Sequence, residues 1–272
     1  MPTIKVNDIN IYYEIHGEGF PLIDIIGLAS DVSWWLPEII EAHSQYFKTI
    51  IFDNRGAGRS DKPDIPYSIK MMADDTIGLM DALNIEKAHI LGASLGGFIA
   101  QEIAINHPKR VEKLVLCCTH CGGSKQVLPS NEVLQKMMAI QGLPPEKFID
   151  TILSYCFTNE FVKNNPDFME SYRKRTLEYV IPHHAYLHQV EANMSFNSAM
   201  KLKKINAPTL IMHGREDLII PWQNAEILAN RIPKAKAIIL DNVAHLIFKP
   251  DPKAVLEPTI GFLTKKIEIE AI

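Results

Sequence analysis

The chain has 272 residues, 47% of them hydrophobic, enough to bury the core of one large α/β domain or of a domain with a substantial insertion. Its net charge of −4 and its scattered Lys and Arg residues give no electrostatic case for nucleic acid. No apolar run approaches the roughly 20 residues that span a bilayer, and Met1 to Asp8 lacks the apolar core of a signal peptide, so a cytoplasmic protein is expected.

In chain order, Thr3 to Val6 and Ile9 to Ile15 alternate in polarity and read as two strands joined by a turn at Asn7-Asp8. Leu22 to Ile26 reads as a buried strand, inside which the carboxylate of Asp24 must be hydrogen bonded or neutral. Trp34 to His43 reads as a helix and Lys48 to Phe52 as an apolar strand. The glycine-rich turn Asp53 to Pro63 lacks the Gly-Lys-Ser/Thr ending of a phosphate loop and reads as structural, Ser60 included. Ser68 to Leu83 is an amphipathic helix with Asp74 and Asp75 on its polar side. His89 to Leu91 is a short strand, Phe98 to His107 a helix and Val111 to Cys118 a strand.

From Gly122 to Met200 the pattern turns helical, at Asn131 to Ile140, Pro145 to Tyr155, Asn159 to Lys163, Phe168 to Tyr179 and His184 to Ala192. Alternation returns with Thr209 to His213, Asn224 to Arg231 and Ala237 to Leu240, before a helical stretch from about Asp251 that Pro258 interrupts or kinks. The expected architecture is therefore α/β: a mostly parallel central sheet flanked by helices, formed by residues 1–121 and 201–272, with 122–200 inserted as a helical cap. Met137, Met138, Phe148, Phe157, Phe161, Tyr179, Tyr186 and Met194 of that cap could line a pocket, although at helical spacing most are expected in the core.

Chemistry concentrates at Gly92-Ala93-Ser94-Leu95-Gly96, where a strand turns into a helix within a few residues. A serine on so sharp a turn needs small neighbours, because a side chain at either flank would meet the adjoining strand or helix, and it must adopt a strained backbone conformation. The turn presents the hydroxyl, and the unpaired N–H of Leu95 at the helix start is placed to stabilise an oxyanion. Asp217, after Gly214-Arg215-Glu216, and His245, after Ala244, stand just past two later strands, on the edge of a parallel sheet where catalytic groups collect. The chain order Ser94, Asp217, His245 distinguishes one serine-hydrolase fold from others.

Cys117, Cys118, Cys121 and Cys156 have neither disulfide-framework nor paired zinc-ligand spacing, and His183, His184 and His188 lack a carboxylate at helical spacing. No metal site or cofactor is expected.

These motifs, together with the turn Asp53-Asn54-Arg55-Gly56-Ala57-Gly58-Arg59-Ser60, make the chain resemble an α/β-hydrolase fold protein over nearly its whole length outside the cap. Within that superfamily it is similar to small carboxylesterases, 3-oxoadipate enol-lactonases and cofactor-free haloperoxidases. The resemblance implies a Ser94, His245, Asp217 triad. Members usually carry His-Gly after the third strand, followed by the residue that gives the second oxyanion N–H. Here the pair is Ile26-Gly27, which carries that role over to Leu28, with Leu95 as its partner, while His16-Gly17 precedes the strand and is a decoy.

The expected activity is hydrolysis of small to medium carboxylic esters through an acyl-enzyme. The expected partner is a small-molecule ester, with neither nucleic acid nor membrane, and a homodimer is allowed. A lactonase, C–C bond hydrolase, thioesterase or perhydrolase would need the same triad. A catalytically silent receptor that binds a ligand in the same pocket is the rival from another class, and labelling by a serine-directed phosphonate separates it from an enzyme.

Overall fold

The computed structural model of the chain describes residues 2–140 and 142–265; Met1 and residues 266–272 of the expected core lie outside these. Eight strands form one sheet: β1 Thr3–Val6, β2 Ile9–His16, β3 Pro21–Ile25, β4 Lys48–Phe52, β5 Ala88–Ala93, β6 Val111–Cys117, β7 Thr209–Gly214 and β8 Ala235–Leu240, in the order β1-β2-β4-β3-β5-β6-β7-β8. The β1/β2 hairpin turns at Asn7, whose φ of 52° suits asparagine, and β2 meets β4 antiparallel. All pairings from β4 through β8 are parallel.

Parallel strands buried on both faces should be apolar throughout, and β5 is buried at all six positions. Their alternate residues feed two cores. Ile90 joins Met72 and Phe98 on the face covered by α2 Ile69–Ala82, α3 Leu95–Asn106 and α9 Gln223–Ala229, whereas Leu91 joins Ile39 and Val255 on the face covered by α1 Pro37–Ser44 and α10 Pro252–Thr264. Between β6 and β7 the chain makes a helical excursion through α4 Asn131–Ala139, α5 Pro145–Cys156, α6 Asn159–Asn164, α7 Pro166–Thr176 and α8 His183–Ser195. No helix among the described residues is long and apolar enough to cross a membrane.

Several local expectations are corrected. The helix expected over Trp34 to His43 is a 3-10 turn at Val32–Trp34 followed by α1, because Pro37 fits the first turn of a helix and disfavours helical backbone before it. The helix after Ser94 begins at Leu95 rather than Phe98, and α7 stops at Thr176 rather than Tyr179. α10 runs unbroken through Pro258. Asp24 is resolved as a hydrogen-bonded group: its Oδ2 lies 2.9 Å from Nδ1 of His43 on α1, both side chains being buried.

The largest correction concerns Asp75, expected on the polar side of α2. It is 2% exposed, and its carboxylate takes the Arg55 guanidinium in a two-pronged contact, Nε to Oδ2 at 2.7 Å and Nη2 to Oδ1 at 3.0 Å. Asp8 closes the other side of Arg55 at 2.8 Å. Arg55 is thereby a buried cation with its charge balanced, and it fixes the loop after β4. Asp74, one residue earlier, faces outward and pairs with Lys70. Asp75→Ala is accordingly expected to destabilise the fold by about 3 kcal/mol, since it leaves the buried Arg55 guanidinium only the exposed Asp8 as a counter-charge. Asp74→Ala should leave the urea midpoint nearly unchanged, and equal effects of the two substitutions would contradict this assignment.

Candidate active site

Ser94 joins β5 to α3 with φ 55° and ψ −120°, a left-handed conformation costly for a residue with a Cβ. Its neighbours show why only glycine tolerates the flanks. A Cβ on Gly92 would come within 2.3 Å of the Gly96 carbonyl oxygen, and one on Gly96 within 2.1 Å of the Ile25 carbonyl oxygen. The Ser94 backbone is tied to β6, its N–H donating to the Cys117 carbonyl at 2.9 Å and its carbonyl accepting from Thr119 Oγ1 at 2.8 Å. Its hydroxyl makes no hydrogen bond to a described residue.

The loop after β3 meets this turn directly. A Cβ on Gly27 would lie 3.2 Å from Ser94 Cβ, so the absence of a side chain lets the Gly27-Leu28 backbone approach the serine. Neither the Leu28 nor the Leu95 N–H has an acceptor among the described residues. Ala29, next in the loop, has φ 58°.

Asp217 and His245 follow β7 and β8, and the structure brings them together: His245 Nδ1 lies 2.7 Å from Asp217 Oδ2. Asp217 Oδ1 accepts the N–H groups of Ile219 and Ile220, both at 2.9 Å. Burial by itself would raise this carboxyl, but the charge of His245 and hydrogen bonds from His213 and His245 outweigh it and hold the pKa at about 2. Ser94 stands on the same C-terminal sheet edge, after β5, but no hydrogen bond joins its hydroxyl to His245.

The sequence reading missed His213. Fully buried at the end of β7, it points Nε2 at Asp217 Oδ2, 3.1 Å away, and at the Ile220 carbonyl, 2.8 Å away. Both partners accept, so Nε2 carries the proton. A polar residue closing the apolar strand Thr209 to Met212, four positions before the aspartate, was the available signal. His120, after β6, accepts the Gly122 N–H on Nδ1 at 2.9 Å, and burial lowers its pKa to about 4, leaving a neutral ring packed at a tilt against Phe98.

The other flagged residues fall elsewhere. His16 pairs with Glu14 on β2, and Ser60 Oγ donates to the Asp53 carbonyl while accepting the Tyr12 N–H. His184 and His188 bond the Lys62 carbonyl and Asp64. The four cysteines are free and buried. Met138 and Met194, at 70% and 81% exposure, belong to the surface, while Phe157 is core. Phe148 and Tyr186 pack with Ile181 and Ala185 against Leu28 and Ala29, giving the Leu28 loop an apolar wall. A cavity of about 620 Å³, lined by Glu14, Trp35, Arg59 and Tyr179 among others, takes in one of the cap residues expected at a pocket, Tyr179, but none of Ser94, Asp217, His245, Leu28 and Leu95.

The family model described as alpha/beta hydrolase fold matches residues 19–252. A protein of Azorhizobium caulinodans bearing the provisional name carbamate hydrolase RutD is 28% identical over 262 residues, spanning 96% of this chain and 98% of its own. Among solved structures, the enol-lactonase from Burkholderia xenovorans LB400 aligns with a TM-score of 0.87 at 26% identity, covering 97% of this chain and all of its own. Est816, described as an N-acyl homoserine lactone degrading enzyme, aligns with a TM-score of 0.77 at 26% identity over 96% of this chain and all of its own.

One acid near the site is strained by its surroundings. Asp31 ends the Leu28 loop, 1% exposed, with Oδ1 accepting the Ser33 N–H and Oδ2 without a hydrogen-bond partner among the described residues. Burial pushes its pKa up to about 6 from the ordinary 3.8, with the nearby Asp53 adding to the rise. A carboxyl raised on folding opposes folding when ionised, a penalty that is full above about pH 6 and absent below about pH 4. Asp31→Asn keeps the acceptor for Ser33, so its melting temperature should exceed that of the parent at pH 8 and match it at pH 4. A gain of equal size at both values would show that ionisation is not the cause.

Proposed function

The chain belongs to the α/β hydrolase fold family, and we propose that within it the protein is a serine hydrolase of small to medium carboxylic esters with an apolar acyl or alcohol part, with residues 122–200 forming a cap over the site. The observation that supports this reading is the positive-φ Ser94 between β5 and α3, packed against Gly27, together with Leu28 and Leu95 N–H groups that have no acceptor among the described residues. The apolar wall of Phe148 and Tyr186 beside Leu28 supports an apolar substrate.

In this mechanism Ser94 Oγ attacks the ester carbonyl while His245 Nε2 takes its proton, and Asp217, bonded to Nδ1, orients the ring and stabilises its charged form. The Leu28 and Leu95 N–H groups stabilise the oxyanion, roughly 3–4 kcal/mol per donor in comparable sites. Collapse of the tetrahedral intermediate breaks the ester bond, and the departing alcohol takes the proton from His245. Water, deprotonated by His245, then attacks the acyl-enzyme and releases the acid. Hydrogen bonds of this kind are often long in free enzymes and tighten on binding, so the lack of a Ser94 to His245 hydrogen bond is compatible with the role.

Similarity to proteins named for carbamate and lactone hydrolysis favours a second reading in which the scissile group is a carbamate or lactone, attacked by the same serine. A panel of p-nitrophenyl esters from acetate to dodecanoate, several lactones and an alkyl carbamate separates the two. Turnover is expected to peak at one ester chain length and to fall on the order of 10⁶-fold in Ser94→Ala. Activity that survives Ser94→Ala would refute the serine mechanism, and turnover confined to lactones or carbamates would replace the ester assignment. Failure of a serine-directed phosphonate to label the parent would favour the ligand receptor.

A further inference from the structure

We propose that Gln189, on α8 of the cap, is a positioning residue for the oxyanion hole, which makes the cap a fixed part of the catalytic frame; this rests on the serine-hydrolase reading above. Gln189 is fully buried and spends both ends of its amide on the core. Its Oε1 accepts the Ala29 N–H at 2.8 Å, and its Nε2 donates to the Arg55 carbonyl at 2.8 Å. The second anchor is rigid, because Arg55 is itself held by Asp75 and Asp8.

The Ala29 N–H belongs to the peptide unit whose carbonyl is that of Leu28, and that carbonyl accepts Ser30 Oγ at 3.1 Å. The unit is therefore clamped at both ends. Next to it is the peptide that carries the Leu28 N–H, and between the two clamps Ala29 is kept at φ 58°, which an alanine does not hold unaided. Release of the clamp lets Ala29 relax and rotates the Leu28 N–H away from Ser94. The cap also holds the opposite side of the site. The carbonyl of Cys156, at the end of α5, accepts the Leu246 N–H at 2.9 Å, one residue past His245.

Gln189→Met removes both hydrogen bonds at nearly constant volume. With the best ester substrate, kcat is expected to fall on the order of 100-fold, with KM changed by no more than about twofold. Affinity for an alkyl boronic acid, which forms a tetrahedral adduct with the serine, should fall in parallel. Ser30→Ala frees the other end of the same peptide unit without touching the cap and should give the same split in smaller measure; it carries the test if Gln189→Met does not fold. Parent-like kcat in folded Gln189→Met, a rise in KM alone, or a kcat loss with boronic acid affinity unchanged would overturn the proposal. A Ser94→Ala control run alongside distinguishes these outcomes from failure of the serine-hydrolase reading, which would show as activity independent of Ser94.

Discussion

The site depends on one steric constraint, the close approach of three backbone segments around Ser94. The end of β3, the start of α3 and the end of β5 converge so tightly that side chains at Gly27, Gly92 and Gly96 would crowd or collide with their neighbours. Their absence lets the sheet hold a serine with positive φ, a conformation that an isolated chain would abandon. The strain persists because the surroundings determine it: the Ser94 N–H and carbonyl are both bonded to the β6 segment, so relaxing φ would break hydrogen bonds inside the fold.

A second constraint acts on the aspartate. Asp217 is buried at 4% exposure, where an unpaired carboxylate would be costly, yet every face of it is occupied. Two backbone N–H groups meet Oδ1, and two imidazoles meet Oδ2. The carboxylate thus remains ionised while its orientation is fixed, and His245 inherits that orientation through Nδ1. His213 adds rigidity, since its Nε2 also spans to the Ile220 carbonyl and ties the loop after β7 to itself.

The helical excursion between β6 and β7 is bound into this arrangement at several points. Gln189 reaches the Leu28 loop, the Cys156 carbonyl reaches the segment after His245, and the Tyr172 hydroxyl donates to the Trp34 carbonyl at 2.9 Å. At its base, Ser198 N–H donates to the Cys121 carbonyl at 2.8 Å. These contacts are buried polar ones, whose loss strands a donor or acceptor, so they define the docked geometry more sharply than apolar contact alone would.

The strand and helix pattern and the fold class were legible from local periodicity, because parallel strands buried on both faces and amphipathic helices leave a direct trace in residue order. The Ser94 turn was legible too, since its glycines are demanded by sterics within a few residues. Asp75 was misplaced because helical spacing reports polarity but cannot reveal that a buried arginine 20 residues away will claim a carboxylate. Gln189 shares that fate, its partners Ala29 and Arg55 lying on distant loops, and the partner of Asp24, expected only to be hydrogen bonded or neutral, is His43 on α1; His213 differs, its partners Asp217 and Ile220 following within seven residues. Chain order alone thus determined the α/β architecture and nominated Ser94, Asp217 and His245. Tertiary structure decided which polar groups are buried and paired, because hydrogen bonds and charge compensation between distant segments exist only once the sheet has brought those segments together.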